Sequence, residues 1–269
     1  MNNLFSHVVI VGTSQGLGAS LVNCFFQKSS CKIIGISHTA KELTKIRTEI
    51  LKSDRYLHYH LQIGTQNFVQ KLKLIAESLN TDSNSTNYIC VIFNSACIVA
   101  DLKVNMQKSA IDWPVFHQIH QIGVIGLNSV LEGFADYFAK HRGVFVGISS
   151  FSAYFPGIDP LKIAYPASKA YLDLLLEALR ILWHQRVHVI TIHLGRISAK
   201  EQRGIASLSS TNYSAASNYI FKVIMKAQKG AVYDYPFIYK LLYRYLFALL
   251  SSNARRYFLC KIKQIAYKS

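Results

Sequence analysis

Short apolar runs alternate with longer amphipathic segments along this chain. Runs such as Val9-Ile10-Val11 and Ile89-Cys90-Val91-Ile92-Phe93 contain no polar position to turn toward water, the pattern of strands buried on both faces. Strands are predicted at His7–Val11, Lys32–Ser37, Tyr56–His60, Tyr88–Phe93, Gly143–Ile148 and Val187–His193, with a short seventh at Ala231–Asp234. Helices are predicted at Gln15–Lys28, Ala40–Lys52, Thr65–Leu79, Asp112–Ala139, Ala164–Trp183 and Thr211–Gln228. Such alternation implies an α/β fold, a parallel sheet of six to seven strands with helices on both faces. Right-handed crossovers make the sheet doubly wound and place its ligand crevice outside the carboxyl ends of the strands. The polar stretch Asn80–Asn87 is too short for an interdomain linker. Residues 1–234 are therefore read as one domain and residues 235–269 as a C-terminal extension.

Composition narrows the class. With 51% hydrophobic and 16% charged residues, the chain has ample material for a core, and disorder is excluded. The net charge of +16 points to an anionic partner. The excess is uneven: from Lys222 onward there are ten basic residues and one acid, Asp234. The five cysteines, Cys24, Cys31, Cys90, Cys97 and Cys260, include no C-x-x-C pair. Neither a disulfide framework nor a metal site is expected, and a reducing, cytoplasmic setting fits. The strand pattern begins within seven residues of Met1, so no signal peptide is expected ahead of it.

Candidate chemistry gathers at the predicted strand ends. After the first strand comes Val11-Gly12-Thr13-Ser14-Gln15-Gly16-Leu17-Gly18. A strand turning through glycines into a helix presents backbone N–H groups and a positive helix end to a phosphate. Gly12 permits the tight turn, Gly16 lets a pyrophosphate approach, and Gly18 lets the helix pack on the strand. Asn94-Ser95-Ala96 follows the fourth strand, Ser149-Ser150 the fifth, and Leu194-Gly195-Arg196-Ile197 the sixth. Tyr165 and Lys169 open the long helix after the fifth strand and share one helix face. A cation beside a phenol favours phenolate and lowers its pKa from about 10 toward working pH, as a general acid/base requires.

In the order and spacing of these motifs the sequence resembles the short-chain dehydrogenase/reductase family, in its single-domain, Rossmann-like branch. The resemblance runs from about Ser6 to Lys200. It implies that Tyr165 donates a proton to a substrate carbonyl oxygen, or removes one from an alcohol. Lys169 would hydrogen-bond the nicotinamide ribose and depress the Tyr165 pKa, and Ser150 would hold the developing oxyanion. Ser149 is the alternative to Ser150. The cofactor would be bound by Gly12, Ser14, Gln15, Gly16, Leu17 and Gly18 at the phosphates and by Ser37, His38 and Gln62 at the adenosine. Asn94, Ala96, Tyr165, Lys169, Gly195 and Ile197 complete the expected contacts. No acid stands at the end of the second strand, where Gly35 to Lys41 offer a hydroxyl, an imidazole and an ammonium. A 2′-phosphate suits that chemistry better than a bare ribose, so NADP(H) is favoured over NAD(H).

Several departures from the family matter. Its proton-relay asparagine, in the long helix before the fifth strand, is replaced by Gly123, with His120 one turn away as a substitute. The segment between Ser150 and Tyr165 is longer than usual and carries Pro156, Gly157 and Pro160, and Cys97 replaces a glycine after Ala96. A cofactor-binding regulatory protein without turnover is therefore the competing class. The family's Asp-Gly-Gly ending is absent. Instead, residues 235–250 are rich in Tyr, Leu and Phe, and Arg255, Arg256, Lys261 and Lys263 follow. That run is too short and too charged to span a bilayer, which needs about 20 residues. It would cover the substrate cleft or a subunit interface, or lie on an anionic membrane surface. No RNA-binding motif accompanies it, so nucleic acid is not expected. The function expected is interconversion of a carbonyl and an alcohol on a small hydrophobic substrate, by a cytoplasmic dimer or tetramer, peripheral to membrane if the tail meets lipid.

Overall fold

The computed structural model describes residues 4–38, 43–79, 88–95, 113–154, 163–198, 210–226, 229–236, 249–251, 253–254 and 257. Seven parallel strands form its main sheet: β1 (Phe5–Val11), β2 (Lys32–Ser37), β3 (Tyr56–His60), β4 (Tyr88–Phe93), β5 (Gly143–Ser150), β6 (Val187–Leu194) and, last in the chain, β9 (Ala231–Tyr235). Their spatial order is β3-β2-β1-β4-β5-β6-β9. The order reverses between β1 and β4, which places the crevice at their carboxyl ends. Two short strands that the apolar pattern does not anticipate, β7 (Arg196–Ser198) and β8 (Ser210–Asn212), pair beside it.

Alternation along each strand divides the core into two layers. Val8 and Ile10 of β1 pack with α1 (Gly16–Lys28), α2 (Thr48–Leu51) and α7 (Tyr213–Lys226). Val9 and Val11 pack on the opposite face with α3 (Gln66–Ser78), α5 (Gly126–Lys140) and α6 (Ala164–Leu182). This is a Rossmann-like doubly wound sheet, as the strand–helix alternation requires. Thr65 caps α3, its hydroxyl accepting from the Phe68 N–H at 3.2 Å.

The helical boundaries differ in two places. The predicted helix over residues 40–52 is a 3₁₀ turn, Leu43–Lys45, followed by the one-turn α2; residues 40–42 lie outside the described set. The predicted helix over residues 112–139 is α4 (Trp113–His120), a π turn at Gln121–Ile125, and α5. Gly123 sits at the centre of that π turn and packs on Ser168 of α6. The stretch 80–87 and most of the extension after residue 236 lie outside the described residues.

Candidate active site

The glycine turn is shaped by its contacts with neighbouring strands. Gly12 has φ +92° and Gly16 φ +57°, values that side-chain-bearing residues seldom adopt. A Cβ on Gly12 would overlap the Asn94 carbonyl oxygen, and one on Gly18 would overlap the carbonyl of Gly12. The amides of Gly12 and Thr13 donate to the Ile36 carbonyl at 2.8 and 3.2 Å. Asn94 Nδ2 donates to the Gly12 carbonyl at 3.1 Å, so this predicted cofactor ligand also clasps β4 to the turn. At the start of α1, Gln15 makes no side-chain cap and no acid stands in the first turn. Those amides can donate to a phosphate. Leu17 is buried in the core, which leaves only its backbone to serve.

Beside the turn lies a cavity of about 310 Å³ that brings together Gly12, Ser14, Ser37, His38, Gln62 and Asn94. All six were expected from sequence. Ser95, Gln118 and Gln121 also line it; the two glutamines come from α4 and the π turn, which no local motif marks. Two histidines of β3 were likewise missed. His58 Nε2 hydrogen-bonds the Ser37 hydroxyl at 2.9 Å, and the His60 ring stands 6.2 Å from that of His38. Burial, aided by His60, pushes the His58 imidazole below its ordinary pKa. One end of the cavity is formed by Gly12 and Ser14 of the glycine turn, and the other is polar and, among the described residues, holds no acid. A phosphate-bearing dinucleotide fits that donor set.

Two of the predicted catalytic residues, Tyr165 and Lys169, are neighbours beside the ends of β4 and β5. Lys169 is 3% exposed, and its Nζ donates to the Ile148 carbonyl at 2.8 Å and to the Ser95 carbonyl and hydroxyl at 3.1 and 3.2 Å. The same nitrogen lies 5.5 Å from the centre of the Tyr165 ring. Ser150 is the last residue of β5, and its Oγ accepts from the Ser152 N–H at 3.2 Å. Ser149 is buried on the α6 side of the sheet, its hydroxyl without a partner in the structure.

Other predicted residues sit differently. Gly195 gives its amide to the Tyr235 carbonyl at 2.8 Å, and Ile197 packs against the core. A Cβ on Gly123 would lie 3.0 Å from Ser168 Cβ and 3.1 Å from its Oγ, so a larger residue there would need Ser168 to give by a few tenths of an ångström. His120 is exposed on α4 and is not among the residues that line the cavity. Ala96, Cys97, Lys41, Pro156, Gly157 and Pro160 lie outside the described residues.

Comparison with known proteins agrees with this fold. A family model described as short chain dehydrogenase matches residues 6–207. A short chain dehydrogenase from Burkholderia cenocepacia, solved in complex with NADP, superposes with TM-score 0.70 at 15% identity, covering 93% of this chain and 95% of that one. A short-chain dehydrogenase from Streptomyces avermitilis gives TM-score 0.67 at 14% identity, covering 100% and 99%. Serine dehydrogenase from Escherichia coli gives 0.62 at 18%, covering 85% and 96%. No curated protein matches by sequence. The structural likenesses speak for the fold, and the family match spans most of the sequence. The chain belongs to the short-chain dehydrogenase family, as an NAD(P)-dependent dehydrogenase/reductase.

Proposed function

We propose that the protein is an NADP(H)-preferring oxidoreductase that interconverts a carbonyl and an alcohol on a small hydrophobic substrate, with Tyr165 as general acid and base. The observation that carries this reading is the buried ammonium of Lys169, anchored by Ser95 and Ile148 and 5.5 Å from the Tyr165 ring centre. A cation so placed favours the phenolate over the phenol. Tyr165 can then give a proton to a carbonyl oxygen and recover it from an alcohol. Ser150 accepts from the Ser152 amide, which leaves its hydroxyl hydrogen to donate to the substrate oxygen. The nicotinamide, when bound, supplies or takes the hydride. Gly12 to Gly18 would hold its phosphates, while Ser37, His38 and Gln62 would hold the adenosine end.

The acid-free end of β2 supports NADP(H), as do solved relatives in complex with NADP, from Burkholderia cenocepacia and the protein ElxO. Tighter binding of NAD than of NADP would overturn that preference. Exposed Leu174, Ile181 and Leu182 on α6 support a homo-oligomer built on that helix. Residues 235–269 are the candidate contact with anionic lipid or with the cleft, which liposome co-sedimentation of full-length and truncated protein distinguishes.

A second reading, a cofactor-binding regulator without turnover, is favoured by Gly123, which stands where the relay asparagine is expected and packs closely on Ser168. Incubation with NADPH and a panel of hydrophobic aldehydes and ketones separates the two. Consumption of NADPH supports the enzyme; tight binding with no consumption supports the regulator.

A further inference from the structure

Apart from the cavity, a buried ionisable cluster lies at the carboxyl end of β6. His193, the penultimate residue of that strand, is 2% exposed, and both of its ring nitrogens face carboxylates. Nδ1 lies 3.0 Å from Asp234 Oδ1, and Nε2 lies 2.7 Å from Asp173 Oδ2. A neutral imidazole owns one N–H and can donate to one carboxylate only. Its other nitrogen would aim a lone pair at an anionic oxygen. Two ionised carboxylates therefore call for the imidazolium. Burial opposes that charge, yet the hydrogen bonds and charges of Asp173 and Asp234 outweigh it and raise the His193 pKa above its ordinary 6.5. Among the described residues, no group of His, Cys, Asp and Glu is arranged to hold a metal ion.

The cluster joins the elements that carry the catalytic side chains. Asp173 follows Tyr165 by two helical turns and Lys169 by one on α6. Asp234 belongs to β9, and the Tyr219 hydroxyl of α7 donates to its carbonyl at 3.4 Å. Over the imidazole lie the rings of Tyr154, 5.0 Å away, and Phe151, 5.9 Å away; the Tyr154 hydroxyl is 3.4 Å from Nε2. Both aromatics belong to the 3₁₀ turn Phe151–Tyr154, which follows Ser150 and whose Ser152 amide holds the Ser150 hydroxyl. Ser149 of β5 stands beside His193 in register. Arg180 of α6 is engaged with Thr191 Oγ1 at 2.8 Å and the Val189 carbonyl at 3.0 Å, nearer the start of β6.

We propose that His193 is a positioning residue: as an imidazolium it ties α6, which carries Tyr165, to β9 and supports the turn that sets the Ser150 hydroxyl. Its catalytic consequence rests on the function proposed above. Loss of the proton turns one carboxylate contact repulsive and loosens the support beneath the turn.

Asp234→Asn isolates the proton from the packing. An asparagine amide can donate to Nδ1, so an imidazole donating from Nε2 to Asp173 satisfies both partners while itself uncharged. Hydrogen–deuterium exchange of the peptide covering residues 151–154, in the full chain and corrected for intrinsic pH dependence, reads the turn directly. Wild-type protection should fall about tenfold from mildly acidic to mildly alkaline pH, a loss of about 1.4 kcal/mol of support for the turn. Protection in Asp234→Asn should stay level. His193→Gln should exchange fast at every pH and, with cofactor affinity unchanged, lose about tenfold in kcat, within the range a small misplacement costs. Coincident wild-type and Asp234→Asn curves overturn the proposal, as does a His193→Gln protein with wild-type exchange and kcat. If exchange behaves as expected while the wild type reduces no carbonyl, the brace stands and the proposed function falls.

Discussion

Gly12 and Gly16 lie four residues apart in one turn, and their geometry separates a folding role from a binding role. Alanine at Gly12 incurs about 1–2 kcal/mol for a left-handed backbone at φ +92°. Its Cβ also overlaps the Asn94 carbonyl, so β1 and β4 must part or the turn must move. Overpacking of that kind costs about 1–3 kcal/mol. Loss of the 3.1 Å Asn94–Gly12 bond adds about 1 kcal/mol. The total, about 3–6 kcal/mol, is a large part of the roughly 5–15 kcal/mol that holds a typical domain folded. Alanine at Gly16 meets only the Tyr213 ring, at an ordinary 3.4 Å, and keeps φ +57°. Its left-handed backbone costs about 1–2 kcal/mol, as at Gly12, with no overlap added to it. On the binding role proposed for the glycine turn, the added methyl would crowd the approach of a pyrophosphate. Urea denaturation should therefore show a large loss for Gly12→Ala and a loss of only about 1–2 kcal/mol for Gly16→Ala. NADPH titration of Gly16→Ala should show affinity at least about tenfold weaker, equivalent to 1.4 kcal/mol. Equal urea midpoints for the two variants, or wild-type affinity in Gly16→Ala, would refute the reasoning.

Ser95→Ala removes one of the acceptors around Lys169 Nζ. A bond to a charged group is worth about 1.5–3 kcal/mol, so kcat should fall about tenfold or more with NADPH affinity little changed; an unaltered kcat would deny Ser95 that anchoring role. His193 gives stability a defined pH slope. Its folded pKa is raised, so its contribution is complete below about 6.5 and is lost as pH rises through the folded value. Urea midpoints of the wild type should decline over that range relative to His193→Gln, and a rise would contradict the assignment. Burial raises the pKa values of Cys24, Cys31 and Cys90. Mass-spectrometric mapping after brief thiol labelling should find these three unmodified in native protein and modified in urea; fast native labelling at any of them would show that it is not buried.

Much of the sheet was legible because its signal is local. The apolar runs at Lys32–Ser37, Tyr56–His60 and Tyr88–Phe93 have the same ends in the structure as in the pattern. The crevice followed from the strand–helix alternation, and six of its cavity residues from the family resemblance. Local periodicity could not show the π turn at Gln121–Ile125, where apolar spacing continues smoothly from α4 into α5. Nor could it divide residues 40–52 into a 3₁₀ turn and a one-turn helix, since a few polar positions fit either. Ser149 and Ser150 were expected beyond β5, but pairing with β6 carries the strand through both. The Asp173–His193–Asp234 cluster was invisible for a different reason. Its members come from α6, β6 and β9, and only the sheet register and the packing of α6 bring them together. Ser95 was read only as part of the segment after the fourth strand, whereas its hydroxyl also accepts from Lys169.

Turnover by Tyr165 is the central claim, and a paired measurement on wild type and Tyr165→Phe tests it most directly. Both proteins would be titrated with NADPH and then assayed for its oxidation in the presence of a hydrophobic carbonyl compound. Phenylalanine keeps the ring beside Lys169 and removes only the hydroxyl that moves the proton. Near-equal cofactor affinity, with turnover in the wild type and at most a trace in Tyr165→Phe, is the predicted result. Substantial turnover by Tyr165→Phe would contradict the account.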